Sequence, residues 1–208
     1  GQVSLHFLNT SGAQCVAPFG GSDRRLSTNP MAIGVPVAGG PPAILDITTS
    51  TVAEGKLMVA MNKGDSVPDG WIVDKAGRPT TDPKDFYDGG ALLTIGAHKG
   101  SGLSILTDLL AGAVTTGRSS DPDDTILRNN MLSIYVDPSV YDREGVVLAE
   151  AHRFVEWVKA SPPAKAASEP NDPRLRPNET SWGRSSSGRV DHFSYTAWLS
   201  AVPSRAGR

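Results

Sequence analysis

The chain has 208 residues, 38% of them hydrophobic and 6% aromatic, and 20 Lys and Arg against 22 Asp and Glu give a formal charge of −2. That length suits one large domain or a domain with a smaller appendage. The near-neutral balance and scarce aromatics give no basic surface for nucleic acid, and no apolar run approaches the roughly 20 residues needed to cross a bilayer.

The single cysteine, Cys15, can form neither an internal disulfide nor a cysteine-based zinc site, which points to a reducing, cytoplasmic compartment. The opening Gly1 to Leu8 lacks the basic region and long apolar core of a secretory signal. Val3, Leu5 and Phe7 alternate there with Gln2, Ser4 and His6. A strand so close to the first residue fits a chain that begins inside a longer protein.

In chain order, short strands are expected at Val3 to Leu8, Met31 to Val37 and Ala43 to Ile47, separated by Gly and Pro turns. A helix follows over residues 51–62. Residues 64–88 are polar and turn-rich, but Trp71 and three prolines mark an ordered excursion rather than a linker. A buried strand is expected at Leu92 to Ile95, then a Gly-rich turn, then a helix from about Leu103 to Val114. The stripe Leu103, Leu106, Leu110 and Ala113 is that helix's expected core face. A further strand is expected at Met131 to Val136 and an amphipathic helix at about Glu144 to Ala160, with Val147, Ala151, Phe154, Val155 and Val158 on one face. The Pro-, Ala- and Ser-rich stretch from Ser161 to Pro177 reads as a surface excursion, and Tyr195, Trp198 and Leu199 as a short terminal helix.

The most informative chemistry lies in Gly96-Ala97-His98-Lys99-Gly100-Ser101-Gly102. A glycine-rich turn entering a helix gathers unpaired amides and the positive end of the dipole at one point, which suits an anion. Lys99 adds a full charge, Gly100 and Gly102 permit close approach to the backbone, and His98 can donate a hydrogen bond. A plain helix entry with an exposed lysine fits the same residues. Neither GxxxxGK[ST] nor GxGxxG occurs, so P-loop and Rossmann readings fall away.

The second feature is Asp46-Ile47-Thr48-Thr49-Ser50-Thr51, an apolar strand that ends in an acid and four hydroxyls. Asp46 can accept from ribose hydroxyls, and the hydroxyls can hold phosphate or cap the next helix. Lys56 reads as an exposed helical lysine, and Arg24-Arg25 as a solvated turn or a 2′-phosphate contact. The four histidines have no metal-ligand spacing, so no metal is expected, and no GxSxG elbow is present.

Taken together, APFGG (Ala17 to Gly21), LSTNPMAIGVP (Leu26 to Pro36), ILDITTSTVAEGKL (Ile44 to Leu57), VPDGWIVDKAGRPTTDP (Val67 to Pro83) and GALLTIGAHKGSGLSILTDLLAGA (Gly90 to Ala113) resemble the malate/L-lactate dehydrogenase family. That family also holds ureidoglycolate and sulfolactate dehydrogenases, diketogulonate reductase and the cyclic imino-acid reductases. The resemblance implies an α/β fold of the α+β type, with a mixed, largely antiparallel sheet flanked by helices and no Rossmann motif. Residues 1–120 are then the NAD(P)-binding domain, and residues 121–208 a strand, helix and tail packed on it or on an absent N-terminal domain.

It further implies a cytoplasmic homodimer, using NAD or NADP on a small 2-hydroxy or 2-oxo acid. Asp46, Ile47, Thr48, His98, Lys99 and Gly100 line the cofactor site, and His98 also approaches the substrate. A late Pro-Gly-Glu element has its nearest match at Pro177-Asn178-Glu179, which adds Asn178 and Glu179. Gly96-Ala97-His98 departs from the more usual Gly-Gly-His. The family's acid/base histidine and its carboxylate-binding arginine have no match here, so the catalytic residues are unknown and the chain alone is expected to be inactive. Two alternatives stand beside this reading: a non-catalytic nucleotide-binding or oligomerisation module, and a cyclic imino-acid reductase of the same family.

Overall fold

Alternating apolar residues at the start of the chain pair it into a sheet, and the chain then returns to that sheet near residue 130. In the computed structural model, which describes residues 1–161, strands β1 (Val3–Ser11), β2 (Met31–Val35), β3 (Ala43–Ile47) and β7 (Arg128–Val136) form one sheet in the order β3-β2-β1-β7. Strands β4 (Ile72–Val73), β5 (Pro79–Thr80) and β6 (Ala91–Leu92) form a small antiparallel sheet in the order β5-β4-β6. A parallel bridge between Val16 and Leu92 makes the pairing mixed. The helices are α1 (Glu54–Lys63), α2 (Pro83–Tyr87), α3 (His98–Asp108), which continues as a π-helical turn over Leu109–Ala113, and α4 (Val146–Lys159). This is the mixed α/β architecture expected from the sequence.

The chain divides into two compact units. Of the described residues, one holds Gly1–Leu5, Ala32–Ile47 and residues 134–161; the other holds His6–Met31 and Thr48–Ser133. In the first, α4 turns a half-buried stripe of Val147, Leu148, Ala151, Val155 and Val158 inward, while Phe154 is exposed. Phe154 therefore leaves the expected face. The helix is started by Asp142, whose carboxylate accepts from the Val146 and Val147 amides and is held below the usual carboxylate range by them.

The second unit carries the apolar core: Cys15, Val16, Leu26, Val52, Leu57, Val67, Ile72, Phe86 and Leu92, with Ala60 and Trp71 packed against it. The turn-rich stretch at 64–88 is thus ordered, because Ile72, Val73 and Phe86 are buried. Arg24 reinforces it by donating to the Gly90 and Phe86 carbonyls at 2.7 and 2.5 Å and lying over the Phe86 ring. Its guanidinium is thereby committed to the protein, and Arg25 pairs with Asp23 at 2.7 Å. Arg25 remains exposed in this surface ion pair.

Several boundaries differ from expectation for local reasons. Strand β1 runs on to Ser11, where Thr10 and Asn9 bond to Asn129 and Asn130. Helix α1 starts at Glu54 rather than residue 51, since the Thr51 amide donates to the Leu93 carbonyl and its hydroxyl to Trp71. The most consequential shift is in α3, which begins at His98 and not near Leu103.

The expected core face of α3 is also reversed. Leu103, Ile105, Leu106 and Leu109 are exposed, whereas Gly100, Ser101, Ser104, Thr107 and Asp108 are buried. Periodicity located one apolar stripe correctly, but the small and polar stripe opposite is the one that packs. Small residues allow the close approach: a Cβ on Gly112 would sit 2.7 Å from the Arg118 carbonyl oxygen and 2.8 Å from Asn9 Nδ2.

Candidate functional site

The corner at the start of α3 is set by strand pairing. Ser50 forms an antiparallel bridge with Thr94, the Ile95 amide donates to the Thr49 carbonyl at 3.0 Å, and the Thr51 amide donates to the Leu93 carbonyl at 2.8 Å. The hydroxyl-rich segment and the chain entering α3 therefore lie side by side within one unit. Four hydroxyls staple this junction. Thr49 donates to the Thr28 carbonyl at 3.0 Å, Thr51 to Trp71 at 3.1 Å, Thr48 to the Ser50 carbonyl at 3.1 Å, and Ser50 to the Val52 carbonyl at 2.8 Å. None caps α1, whose N-cap residue is Ala53 and has no side-chain bond.

The helix entry itself breaks the usual capping pattern. Ala97 occupies the N-cap position with φ 56° and ψ −120°, no side chain caps the helix, and no acidic residue lies in its first turn. A β-carbon is rarely tolerated at that backbone conformation and costs on the order of 1–3 kcal/mol. Thr94 holds the turn by donating to the Ala97 carbonyl at 2.8 Å. His98 and Lys99 occupy the first two helical positions, both exposed. A cation there opposes the helix dipole, which favours negative charge at this end.

No carboxylate among the described residues is in ion-pair distance of Lys99. The Lys99 amide donates to the Gly96 carbonyl at 3.2 Å and that of Ser101 to Ala97 at 3.1 Å. Among the described residues, the His98 and Gly100 amides meet no acceptor in bonding geometry. An uncapped helix start, two open amides and an unpaired lysine form a donor set that fits a phosphate or carboxylate.

The missing side chain at Gly100 is required by the protein's own packing, since a Cβ there would overlap the Ile95 carbonyl oxygen. Gly102, by contrast, faces open space. One neighbour was not singled out from sequence. Phe19, in the Pro18-Phe19-Gly20-Gly21 turn, makes an edge-on ring contact with His98 at 5.9 Å, and its amide donates to Ser101 Oγ at 3.1 Å. An aromatic set between a proline and two glycines, too short a span to be a strand, was the available signal.

Of the residues marked out from sequence, Thr48, His98, Lys99 and Gly100 fall in the same unit. Asp46, which is exposed, and Ile47 close β3 in the other unit, one and two residues before Thr48. Asn178 and Glu179 lie outside the described residues. Of the remaining histidines, His6 bonds to Ser133 Oγ at 2.9 Å through Nδ1, His152 is exposed on α4, and His192 lies outside the described residues. Among the described residues no cluster of three His, Cys, Asp or Glu side chains could hold a metal, and no helix is long and apolar enough to cross a membrane.

The described residues thus form a two-sheet α/β fold with an uncapped, cation-bearing helix entry and no Rossmann loop. A family model described as malate/L-lactate dehydrogenase matches residues 1–188, and the chain belongs to that family. It is 39% identical over 170 residues to hydroxycarboxylate dehydrogenase B of Escherichia coli, covering 78% of this chain and 46% of that protein. It is 37% identical over 171 residues to an L-lactate dehydrogenase of Cupriavidus necator, covering 79% and 49%. The crystal structure of a Δ1-piperideine-2-carboxylate reductase from Pseudomonas syringae superposes with a TM-score of 0.68 at 35% identity, covering 76% and 49%. The chain spans about half the length of the relatives it matches.

Proposed function

We propose that this chain is the cofactor-holding part of an NAD(P)-dependent oxidoreductase that moves hydride between nicotinamide and a small 2-hydroxy or 2-oxo acid. The observation that carries the reading is Lys99, an unpaired cation in the first turn of α3 beside two open amides. In this reading Lys99 and the His98 and Gly100 amides hold the pyrophosphate, and His98 reaches toward the substrate. Thr48 borders the same corner, and the family resemblance assigns Asp46 and Ile47 to the ribose. Asp46 favours a free ribose hydroxyl, hence NAD, by analogy with Rossmann sites. Asn178 and Glu179 complete the set through the family resemblance.

When bound, nicotinamide supplies the hydride, and the protein's task is to orient it and to provide a proton at the developing alkoxide. Neither His6, bonded to Ser133, nor His152, in the other compact unit, is assigned that proton. The isolated 208-residue chain is accordingly proposed to bind dinucleotide without turning over. A cytoplasmic homodimer is the assembly the family resemblance favours.

Cyclic imino acids are a second substrate class supported by a specific finding. The Δ1-pyrroline/piperideine-2-carboxylate reductase of Pseudomonas syringae is 43% identical over 120 residues, covering 58% of this chain and 34% of that protein. A non-catalytic oligomerisation module is favoured only by the exposed leucines of α3.

The deciding experiment is an NADH fluorescence titration of the wild-type chain and Lys99→Ala. Losing a charge-assisted contact to phosphate is expected to weaken binding about ten-fold and to flatten its salt dependence. Equal affinities would remove Lys99 from the site, and no binding by either would remove the cofactor reading. A turnover screen over malate, lactate, ureidoglycolate and cyclic imino acids separates the substrate classes, and turnover by the isolated chain would refute the missing proton donor.

A further inference from the structure

Phe19 is 62% exposed, yet nothing about its loop is loose. The Ala17 amide donates to the Leu92 carbonyl at 2.9 Å, the Gly21 amide to the Pro18 carbonyl at 2.8 Å, and the Phe19 amide to Ser101 Oγ at 3.1 Å. Ala17 and Ser101 are both buried, so the turn is tied to the small sheet on one side and to α3 on the other. These bonds fix the backbone from which the ring projects. A fixed, water-facing phenyl ring is unfavourable by the apolar area it exposes, and its loop neighbours Gly20, Ser22 and Asp23 are small or polar and exposed. Within its own turn the ring has no exposed apolar neighbour.

We infer that Phe19 is a positioning residue against which a planar heteroaromatic ring of the dinucleotide packs, next to His98. The ring stands 5.9 Å from the imidazole at an interplanar angle of 66°, a contact that leaves most of its surface open. Gly20, next in the turn, has no atom within 4 Å of where a Cβ would be, so it adds no bulk beside the ring. Phosphate at the first turn of α3 and a ring joined to it through a ribose fit this spacing. The inference rests on the cofactor reading above and extends it to a side chain that carries no charge.

The test titrates the 208-residue chain and Phe19→Ala, Phe19→Leu and Phe19→Tyr with NADH, ADP-ribose and reduced nicotinamide mononucleotide. Stacking on an aromatic side chain contributes about 1–3 kcal/mol per base, so Phe19→Ala is expected to weaken NADH binding about five- to one-hundred-fold. Thermal stability should not change, because the ring is exposed. Phe19→Tyr should keep wild-type affinity and Phe19→Leu should not. A loss confined to ADP-ribose assigns adenine, and one confined to the mononucleotide assigns nicotinamide. Unchanged NADH affinity in Phe19→Ala, or full recovery by Phe19→Leu, overturns the inference. If Lys99→Ala weakens NADH binding while Phe19→Ala does not, this inference alone falls; if the wild-type chain binds no NADH, the cofactor reading falls with it.

Discussion

Asn29 Nδ2 lies 3.1 Å from Asp108 Oδ2, and both side chains are sealed from solvent, 0% and 4% exposed. Asn29 also reaches the Ser104 carbonyl and hydroxyl at 3.1 Å, while Asp108 accepts from the Ser120 amide at 3.0 Å and the Ser120 hydroxyl at 2.7 Å. The helix that bears His98 and Lys99 is thus fastened at its far end by a polar network rather than by its leucines.

Removing the acceptor should therefore be costly. Asp108→Ala takes one of its three acceptors from the Asn29 amide and leaves the part-buried Ser120 amide and hydroxyl without theirs, at about 1–3 kcal/mol for each unsatisfied donor. A loss of about 3 kcal/mol is expected in denaturant unfolding, whereas Leu106→Ala, at an exposed position, should cost less than about 1 kcal/mol. Comparable losses would show that the leucine face is the packed one.

Two glycines of α3 should respond in opposite directions. Gly100→Ala places a Cβ against the Ile95 carbonyl and is expected to destabilise by about 1–3 kcal/mol while shifting the helix start. Gly102→Ala enters open space inside the helix and should stabilise by up to about 1 kcal/mol. Thermal melts of the two variants decide the matter.

Ala97→Gly should raise stability. The backbone at φ 56°, ψ −120° suits glycine, and relief of strain outweighs the extra freedom of the unfolded glycine, for a net gain of about 1 kcal/mol. A lower melting temperature would mean that the turn is unstrained.

Burial, with Glu54 adding to it, pushes the Cys15 thiol up to about 11. Its folded value lies above the ordinary thiol value of 9.0, so the neutral thiol favours the fold. That contribution is complete below the unfolded value and is lost as pH rises toward 11. Cys15 should resist alkylation at pH 8 in the native chain and react rapidly in denaturant. Fast native labelling would contradict its burial.

Much of this was legible in the sequence, for identifiable reasons. Strand β3 was read to the residue because Pro42 and the Asp46–Thr51 run bound an apolar segment. The order of motifs from Ala17 to Ala113 gave the family. The start of α3 was placed five residues late because glycines at 100 and 102 read as turn residues, whereas Gly100 is a packing requirement set by Ile95. The helix's buried face was missed because periodicity reports where apolar residues lie, not whether a buried carboxylate such as Asp108 has found donors on segments 79 residues away, as with Asn29. Phe19 escaped notice because its partner His98 is distant in sequence and joined to it only in space.

The most direct measurement is a two-dimensional amide NMR titration of the isotope-labelled chain with NADH. The account predicts saturable shifts centred on the His98, Lys99 and Gly100 amides, at concentrations matching the fluorescence isotherm. Saturable binding that left these three resonances unmoved, with its shifts gathered on another part of the chain, would contradict it.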